Sequence, residues 1–181
     1  MSATNRKQGV KSPNEFYRTP EYATASLLRS LPELADHQDG DWLEPSAGDG
    51  AIIQAVSNFG YFPLWTAIEL RDECKQQLTN IEDAEFRQIV TGNPYQWFEP
   101  KRNYDVAIGN PPFTQAVEFT EQARRQSHVT IMLQRLCWIG PRERVNFFRD
   151  NPPDVRIISP RPFPDSTEYA WFIWGAGEPG T

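Results

Sequence analysis

The composition of this 181-residue chain favours a single domain, because 39% hydrophobic residues suffice for one core, and its net charge of −6 (18 Lys+Arg, 24 Asp+Glu) argues against a broadly basic nucleic-acid-binding surface. The two cysteines (Cys74, Cys137) and two histidines (His37, His128) are too far apart for a zinc spacing or a disulfide framework. No apolar run reaches the roughly 18 residues of a membrane span, so we expect a metal-free protein in a reduced, cytoplasmic setting.

Helices and strands alternate along the predicted chain. Residues 1–15 are polar and are expected to form a flexible tail, and a helix should begin at about Glu21, with Thr19 as its N-cap and Pro20 in its first position. Further helices are predicted at 51–60, 71–83, 114–127 and 141–150. The predicted strands are DWLEP (41–45), LWTAIEL (64–70), FRQIVT (86–91), YDVAIG (104–109), VTIMLQRL (129–136), VRIISP (155–160) and YAWFIWG (169–175).

This alternation predicts a mostly parallel, seven-stranded sheet with helices on both faces. Strands that read as nearly continuous apolar runs are typical of sheets that are covered on both sides. The connection RPFPDSTE between the last two strands is too short for a helical crossover, so an antiparallel C-terminal strand is expected.

The segment EPSAGDG (44–50) follows the first strand and opens a helix. Its glycines allow the backbone to approach a ligand, and the helix amides point outward. Glu69 ends the next strand, 19 residues after Gly50, where a carboxylate can accept both hydroxyls of a ribose. The pattern indicates a nucleoside-containing ligand. The alternative is a plain turn with Glu69 as a solvated strand end.

The segment Asn110-Pro111-Pro112-Phe113 follows the fourth strand. Proline has a fixed φ and no N–H, so this corner can present Asn110 Oδ1 and the Pro111 carbonyl as acceptors without a competing amide. Two acceptors facing an exocyclic amine would stabilise the positive charge that develops on nitrogen during attack, and Phe113 offers a flat face to the ring. The alternative is a stiff turn with Phe113 in the core.

Two similar segments differ in context. Asn151-Pro152-Pro153-Asp154 follows a charged helix end and is interpreted as a helix stop. Asn93-Pro94-Tyr95 follows the third strand and lacks the second proline, so Asn93 is interpreted as cofactor wall. In a doubly wound sheet the loops after strands one and four can be neighbours, which would bring EPSAGDG and the Asn110 corner together.

EPSAGDG, Glu69 and the Asn110 corner together resemble Class I S-adenosylmethionine-dependent methyltransferases, specifically those acting on adenine N6 in DNA. The upstream FYRTPE (16–21) resembles the family segment that contacts the methionine end of the cofactor, and this motif order resembles the gamma arrangement. LQRLCWIG, ISPRPF and YAWFIW are similar to small phage and prophage members. The resemblance implies a single Rossmann-like catalytic domain over 16–176, in a bacterial cytoplasm, without a separate recognition domain.

The resemblance also implies roles for individual residues. The target base would be flipped out of the DNA and received by Asn110, Pro111, Pro112 and Phe113. S-adenosylmethionine would be bound by Tyr17, Thr19, Pro20, Glu44, Ala47, Gly48, Gly50, Glu69, Leu70 and Asn93. Asn93 stands where relatives often have an acidic residue, although its amide oxygen can still accept a hydrogen bond.

The second wall of the base pocket is assigned to Phe163 or Trp138, with packing in the core as the alternative for both rings and the favoured one for Trp138. Arg161 and Arg135, Arg142 and Arg144 beside these rings are candidates for phosphate contacts. Sequence choice would then come from loops, a homodimer or a partner subunit. The same corner can also serve an RNA base amine or a protein glutamine, and a third hypothesis is a nucleotide-binding module without catalysis.

Overall fold

The structure is a computed structural model that describes residues 17–92, 103–158 and 161–175. Its helices are α1 Glu21–Ser30, α2 Ala51–Phe59, α3 Lys75–Thr79, α4 Ala116–Arg124 and α5 Val145–Asp150. Its strands are β1 Asp41–Glu44, β2 Leu64–Glu69, β3 Glu85–Thr91, β4 Tyr104–Gly109, β5 Ser127–Arg135, β6 Asp154–Ile157 and β7 Tyr169–Trp174. The predicted tail and Asn93 lie outside the described residues.

The strands form one seven-stranded sheet in the order β3-β2-β1-β4-β5-β7-β6. The neighbours from β3 to β5 are parallel, whereas β7 runs antiparallel to both β5 and β6. The mostly parallel sheet and the antiparallel C-terminal strand are thus confirmed. The order reverses between β1 and β4, so the loops that follow these two strands are neighbours at one edge of the sheet.

Apolar side chains alternate between the two faces of the sheet. Val129, Ile131 and Leu133 of β5 belong to one buried cluster, and Met132 belongs to the other. Helices α1 and α2 cover the first face through residues such as Leu27 and Ile53, whereas α4 and α5 cover the second. Both faces of the sheet are therefore buried, which explains why the strand sequences are nearly continuous apolar runs.

Several element boundaries differ from the prediction. The helix predicted over 71–83 is only a 3₁₀ turn at Asp72–Cys74 followed by α3, and the one over 141–150 starts as a 3₁₀ turn at Arg142–Arg144. Helix α1 begins at Glu21 as predicted, but Thr19 as its N-cap is wrong. Pro20 is the N-cap, and no side-chain hydrogen bond caps the helix. Within the described ranges, no helix has both the length and the apolar character needed to cross a membrane.

Candidate active site

An open cleft lies where β1 and β4 end. Gly109, the last residue of β4, packs so closely on the loop after β1 that a Cβ atom there would lie 3.3 Å from Ser46 Oγ. The Asn110 corner and the glycine turn are therefore brought together, as predicted. The cleft is lined by residues 17–19, 44–49, 51, 52, 69–71, 110, 112, 115 and 119.

The glycine turn is tied to the neighbouring strand. Gly48 has φ +56°, and its N–H donates to Glu69 Oε2 at 2.7 Å, while the Ala47 N–H donates to the Ile68 carbonyl at 2.8 Å. Gly50 has φ +81° and faces away from the ligand side, because a Cβ atom there would lie 2.2 Å from Ile81 Cδ1. The turn thus needs glycine at position 50 for packing.

Glu69 already accepts three hydrogen bonds. Besides the Gly48 bond, its Oε1 accepts from the Arg71 backbone N–H at 2.9 Å and from Arg71 Nε at 2.8 Å. A carboxylate offers about four lone-pair sites, so a contact to both ribose hydroxyls requires one of these bonds to be released. The ribose role of Glu69 stays a prediction.

Glu44 is the most unusual side chain in the cleft. It is 2% exposed, and its Oε2 has no hydrogen-bond partner among the residues described, nor has the buried Ser46 Oγ beside it. Burial raises the pKa of Glu44 well above its usual range, and the nearby negative charges of Asp49 and Glu69 raise that pKa further. A buried carboxyl oxygen without a partner indicates a ligand that brings a donor or a positive charge.

The Asn110 side chain is fixed by the segment before α1. Its Nδ2 donates to the Tyr17 carbonyl at 2.9 Å and to Thr19 Oγ1 at 3.2 Å. A backbone carbonyl can only accept, so the amide nitrogen must face it and Oδ1 must face elsewhere. Asn110 lines the cleft, and this orientation leaves Oδ1 available as a hydrogen-bond acceptor.

The carbonyls of both prolines accept hydrogen bonds from within the protein. The Pro111 carbonyl accepts from Gln134 Nε2 at 3.2 Å, and the Pro112 carbonyl accepts from the Gln115 N–H at 3.0 Å. The prediction of an acceptor without competition is therefore wrong for Pro111. The competitor is a side-chain amide from β5, and it leaves one carbonyl lone pair.

Phe113 belongs to a cluster of four aromatic rings. The Tyr17 ring stacks on it, with centroids 5.5 Å apart and planes inclined by 28°, and also lies 5.6 Å from the Phe163 ring. Tyr169 contacts both Phe113 and Phe163, at 5.8 and 4.8 Å. Tyr17 thus lies between the two rings that were predicted to sandwich a base. The half-buried Phe113 ring packs on the core and is not among the residues that line the cleft, so its role as a face for the substrate ring stays a prediction.

A polar network lies behind this cluster. The Arg135 guanidinium lies 4.7 Å from the Phe113 ring centroid, and its Nε donates to Tyr169 Oη at 3.3 Å. Tyr169 in turn donates to Asp165 Oδ2 at 2.7 Å. Burial raises the pKa of Tyr169 to about 12, so its hydroxyl stays protonated and keeps donating at neutral pH. The network joins β5 and β7 to the loop that carries Phe163.

Beyond the Asn110 corner, none of the predicted substrate-contacting residues lines the cleft, and Phe163 is 6% exposed within the buried cluster on the first face of the sheet. Trp138 is 3% exposed and packs edge-on against Phe148 and Phe172 in the cluster on the other face, which argues against a role as base wall. Arg144 donates to the Trp138 carbonyl at 3.2 Å, and Arg142 precedes it in the same 3₁₀ turn. The exposed Arg161 pairs with Glu168.

The predicted cofactor residues fall into those that line the cleft and those that do not. Tyr17, Thr19, Glu44, Ala47, Gly48, Glu69 and Leu70 line the cleft, whereas Pro20 caps α1. Sequence reasoning missed two residues beside the corner. Gln134 could have been noticed in the sequence, because a glutamine interrupts the apolar strand β5. Arg18 lines the cleft and pairs with Asp49 at 2.6 Å.

Comparison with known proteins shows the fold. No protein-family model and no curated sequence matches the chain. A solved structure from Pyrococcus horikoshii, described as a proposed RNA methyltransferase, shares 19% identity over 92% of this chain and 90% of its own, with a TM-score of 0.61. A proposed class I S-adenosylmethionine-dependent methyltransferase from Listeria monocytogenes shares 12% identity with a TM-score of 0.69, and this chain, matched over 92% of its length, spans 62% of it.

A third neighbour was solved with a ligand. Human methyltransferase-like protein 13, in complex with S-adenosylhomocysteine, shares 16% identity over 84% of this chain and 79% of its own, with a TM-score of 0.55. At identities this low the likeness concerns the fold. The chain has the Rossmann-like fold of class I S-adenosylmethionine-dependent methyltransferases.

Proposed function

We propose that this protein transfers a methyl group from S-adenosylmethionine to the N6 amino group of adenine in DNA. The observation that carries the proposal is the position of Asn110. Its amide lines the same cleft as the glycine turn and Glu44, with the amide nitrogen bound to the protein and the oxygen left for substrate. A module that only binds nucleotides has no need for an acceptor held in this way.

The charge of the cleft fits the cofactor. Glu44, Asp49 and Glu69 all line it, and Glu44 Oε2 and Ser46 Oγ are buried without partners in the described chain. S-adenosylmethionine carries an ammonium and a sulfonium group. Because Asp49 and Glu69 already pair with Arg18 and Arg71, Glu44 is the lining carboxyl best placed to complement these positive charges. The ligand of the human neighbour, the demethylated form of this cofactor, supports the same assignment. Glu44 and the Gly48 turn would hold the methionine portion, and Glu69 would face the ribose.

The residues of the corner account for the chemistry. When bound, S-adenosylmethionine would supply an electrophilic methyl group: the lone pair of the substrate nitrogen forms the N–C bond as the C–S bond breaks and S-adenosylhomocysteine leaves. The positively charged nitrogen then loses one proton to solvent. Asn110 Oδ1 and the second lone pair of the Pro111 carbonyl accept the two amine hydrogens and stabilise the positive charge on nitrogen. Phe113 holds the ring in the plane that these acceptors require.

The aromatic cluster determines how a base would be received. The Tyr17 ring is stacked on Phe113, so a base that uses this face of Phe113 must displace it. Phe163 is the proposed second wall because its ring lies 5.6 Å from that of Tyr17, which lines the cleft. Since Phe163 is 6% exposed, a base would reach its face only after this ring moves. Arg135 and Arg161 belong to the same region and could contact the backbone of flipped DNA.

Adenine in DNA is the preferred substrate because of the motif order, in which FYRTPE precedes the glycine turn and the Asn110 corner follows both. The alternative is an RNA base amine, which the name of the Pyrococcus neighbour favours, or a protein glutamine. Sequence selectivity would come from the loop that carries Phe163 and from the Trp138 to Arg144 turn, or from a second copy or partner subunit.

Methyl-transfer assays can separate these substrates. Purified protein is incubated with methyl-labelled S-adenosylmethionine and unmethylated DNA, RNA or protein pools, and the products are digested and identified by mass spectrometry. We expect label in DNA as N6-methyladenine, and none with the Asn110→Ala variant. Label confined to RNA or protein would overturn the adenine assignment but retain amino methylation. Absence of label from all three would overturn the proposed function.

A further inference from the structure

Both acceptors of the Asn110 corner are contacted from behind by buried polar side chains. Asn110 is contacted by Thr19, which is 4% exposed, and Pro111 by Gln134, which is 1% exposed. Thr19 precedes α1, and Gln134 belongs to β5, so the two contacts come from separate parts of the chain. Thr19 also lines the cleft, so a contact to the cofactor is its alternative role, whereas Gln134 is not among the lining residues.

Thr19 is placed as a partner of Asn110 and not as a helix cap. A threonine before a proline and a helix is normally interpreted as a cap, yet no side chain caps α1. Its Oγ1 instead accepts a hydrogen bond from Asn110 Nδ2 at 3.2 Å, and the same nitrogen donates to the Tyr17 carbonyl at 2.9 Å. With two acceptors on its nitrogen, the amide of Asn110 is held against rotation about its last side-chain bond.

Gln134 fixes the second acceptor. A primary amide is costly to bury unless it is hydrogen-bonded, and the described contact of its nitrogen is the Pro111 carbonyl at 3.2 Å. Because Pro112 has no N–H, the Pro111–Pro112 peptide unit has no donor of its own by which the backbone could anchor it. The Gln134 amide therefore supplies the anchor that the prolines lack, and the carbonyl keeps its second lone pair.

We propose that Thr19 and Gln134 are positioning residues that set the directions of Asn110 Oδ1 and the Pro111 carbonyl before substrate arrives. The inference rests on the proposed function, since it assigns the two acceptors to a substrate amine. Acceptors that are fixed in advance lower the cost of reorganisation during the reaction, so their loss should slow transfer and leave cofactor binding nearly intact.

Thr19 can be tested with a pair of variants. Thr19→Val removes the hydroxyl at similar volume, and we expect it to lower the single-turnover rate by about tenfold to a hundredfold. Thr19→Ser keeps the hydroxyl and should restore the rate to within about threefold. Thr24→Val is the matched control, because Thr24 is a buried α1 residue whose hydroxyl has no partner in the described structure. It should leave the rate unchanged.

Gln134 offers a test by pH. Gln134→Glu has the same shape but can donate to the Pro111 carbonyl only when protonated, and burial raises the pKa of such a carboxyl. The rate of Gln134→Glu relative to wild type should therefore rise as pH falls, whereas Gln134→Leu should be slow at every pH. Gln126→Leu controls for loss of a buried glutamine just before β5.

Two further measurements separate the outcomes. Titration with S-adenosylhomocysteine should give dissociation constants within about threefold of wild type for all variants that thermal unfolding shows to be folded. A selective loss of affinity in Thr19→Val would make Thr19 a cofactor residue and overturn the inference. Unchanged transfer rates in Thr19→Val and Gln134→Leu would overturn it as well, with the proposed function intact. No transfer by wild type to any pool would overturn the proposed function and this inference together.

Discussion

The tripeptide Asn-Pro-Pro occurs at two corners of this molecule, and the two corners differ in everything around them. Asn110 follows β4 and lines a cleft, with its amide nitrogen held by residues 17–19. Asn151 ends α5, donates to the Phe147 carbonyl at 2.9 Å, and accepts from Arg124 and Trp174 through its two oxygens. At the second corner, the polar side-chain atoms and the carbonyl of Asn151 are engaged in hydrogen bonds that join α5 to α4 and β7. The motif therefore acquires chemistry only where the fold leaves one acceptor open beside a cleft.

Removing Asn110 should give the largest effect of any change at either corner. Asn110→Ala deletes an acceptor that acts mainly in the transition state, so we expect turnover to fall by about a hundredfold to a thousandfold, as for loss of a single group that stabilises developing charge. The dissociation constant for S-adenosylhomocysteine should stay within about threefold. The measurements are single-turnover transfer and calorimetric titration. An equal loss of rate and affinity would assign Asn110 to the cofactor.

The acidic cleft is the second feature that the Asn151 corner lacks. Glu44→Gln keeps the shape of the buried side chain but removes its charge, and a charge-assisted hydrogen bond is typically worth about 1.5–3 kcal/mol. Affinity for S-adenosylmethionine should thus fall about tenfold to a hundredfold by calorimetric titration. Glu118→Gln on the exposed face of α4 is the control for loss of a negative charge. Equal affinities in the two variants would exclude Glu44 from the cofactor site.

Glu44 should also make the free protein sensitive to pH. Burial and the charges of Asp49 and Glu69 raise its pKa in the folded state. Stability that comes from the protonated form is fully present below the unfolded-state pKa and is lost as pH rises through the folded-state pKa. Thermal unfolding should therefore show wild type losing stability over this window relative to Glu44→Gln. Binding of a cation favours the ionised carboxylate, so S-adenosylmethionine should release a proton, detectable by calorimetry in buffers of different ionisation enthalpy.

Each corner adjoins its own aromatic cluster, and the two clusters should respond differently to loss of a ring. Phe163→Leu removes a ring that touches Tyr17 and Tyr169 beside the cleft, and a lost base stack typically costs about 1–3 kcal/mol. Capture of the flipped base, followed by 2-aminopurine fluorescence in DNA, should weaken roughly tenfold. Trp138→Leu, in the cluster next to Asn151, should lower the thermal midpoint but leave base capture by the folded protein unchanged. The reverse pattern would place the base wall at Trp138.

The sequence was a good guide within one element and a poor one across elements. It predicted all seven strands, the antiparallel end of the sheet and the meeting of the glycine turn with the Asn110 corner, because apolar runs and turn residues reflect local structure and the switch-point rule fixes where loops meet. It assigned Thr19 to a cap because the alternative partner is 91 residues away. Gln134 and the position of the Tyr17 ring were missed for the same reason, since spacing along a chain carries no information on which distant atom satisfies a polar group.

Of the changes at the two Asn-Pro-Pro corners, Asn151→Ala should have the smallest effect on catalysis. The change removes side-chain bonds to Phe147 and Arg124 at the end of α5, and we expect a loss of about 1–2 kcal/mol in the free energy of unfolding, measured by urea denaturation. The single-turnover rate, measured well below the unfolding midpoint, should remain within about threefold of wild type because no atom of this residue lines the cleft. A rate that fell as far as in Asn110→Ala, with stability unchanged, would mean that the second corner also receives substrate. The position of Asn110 beside a cleft would then not explain why that corner is active.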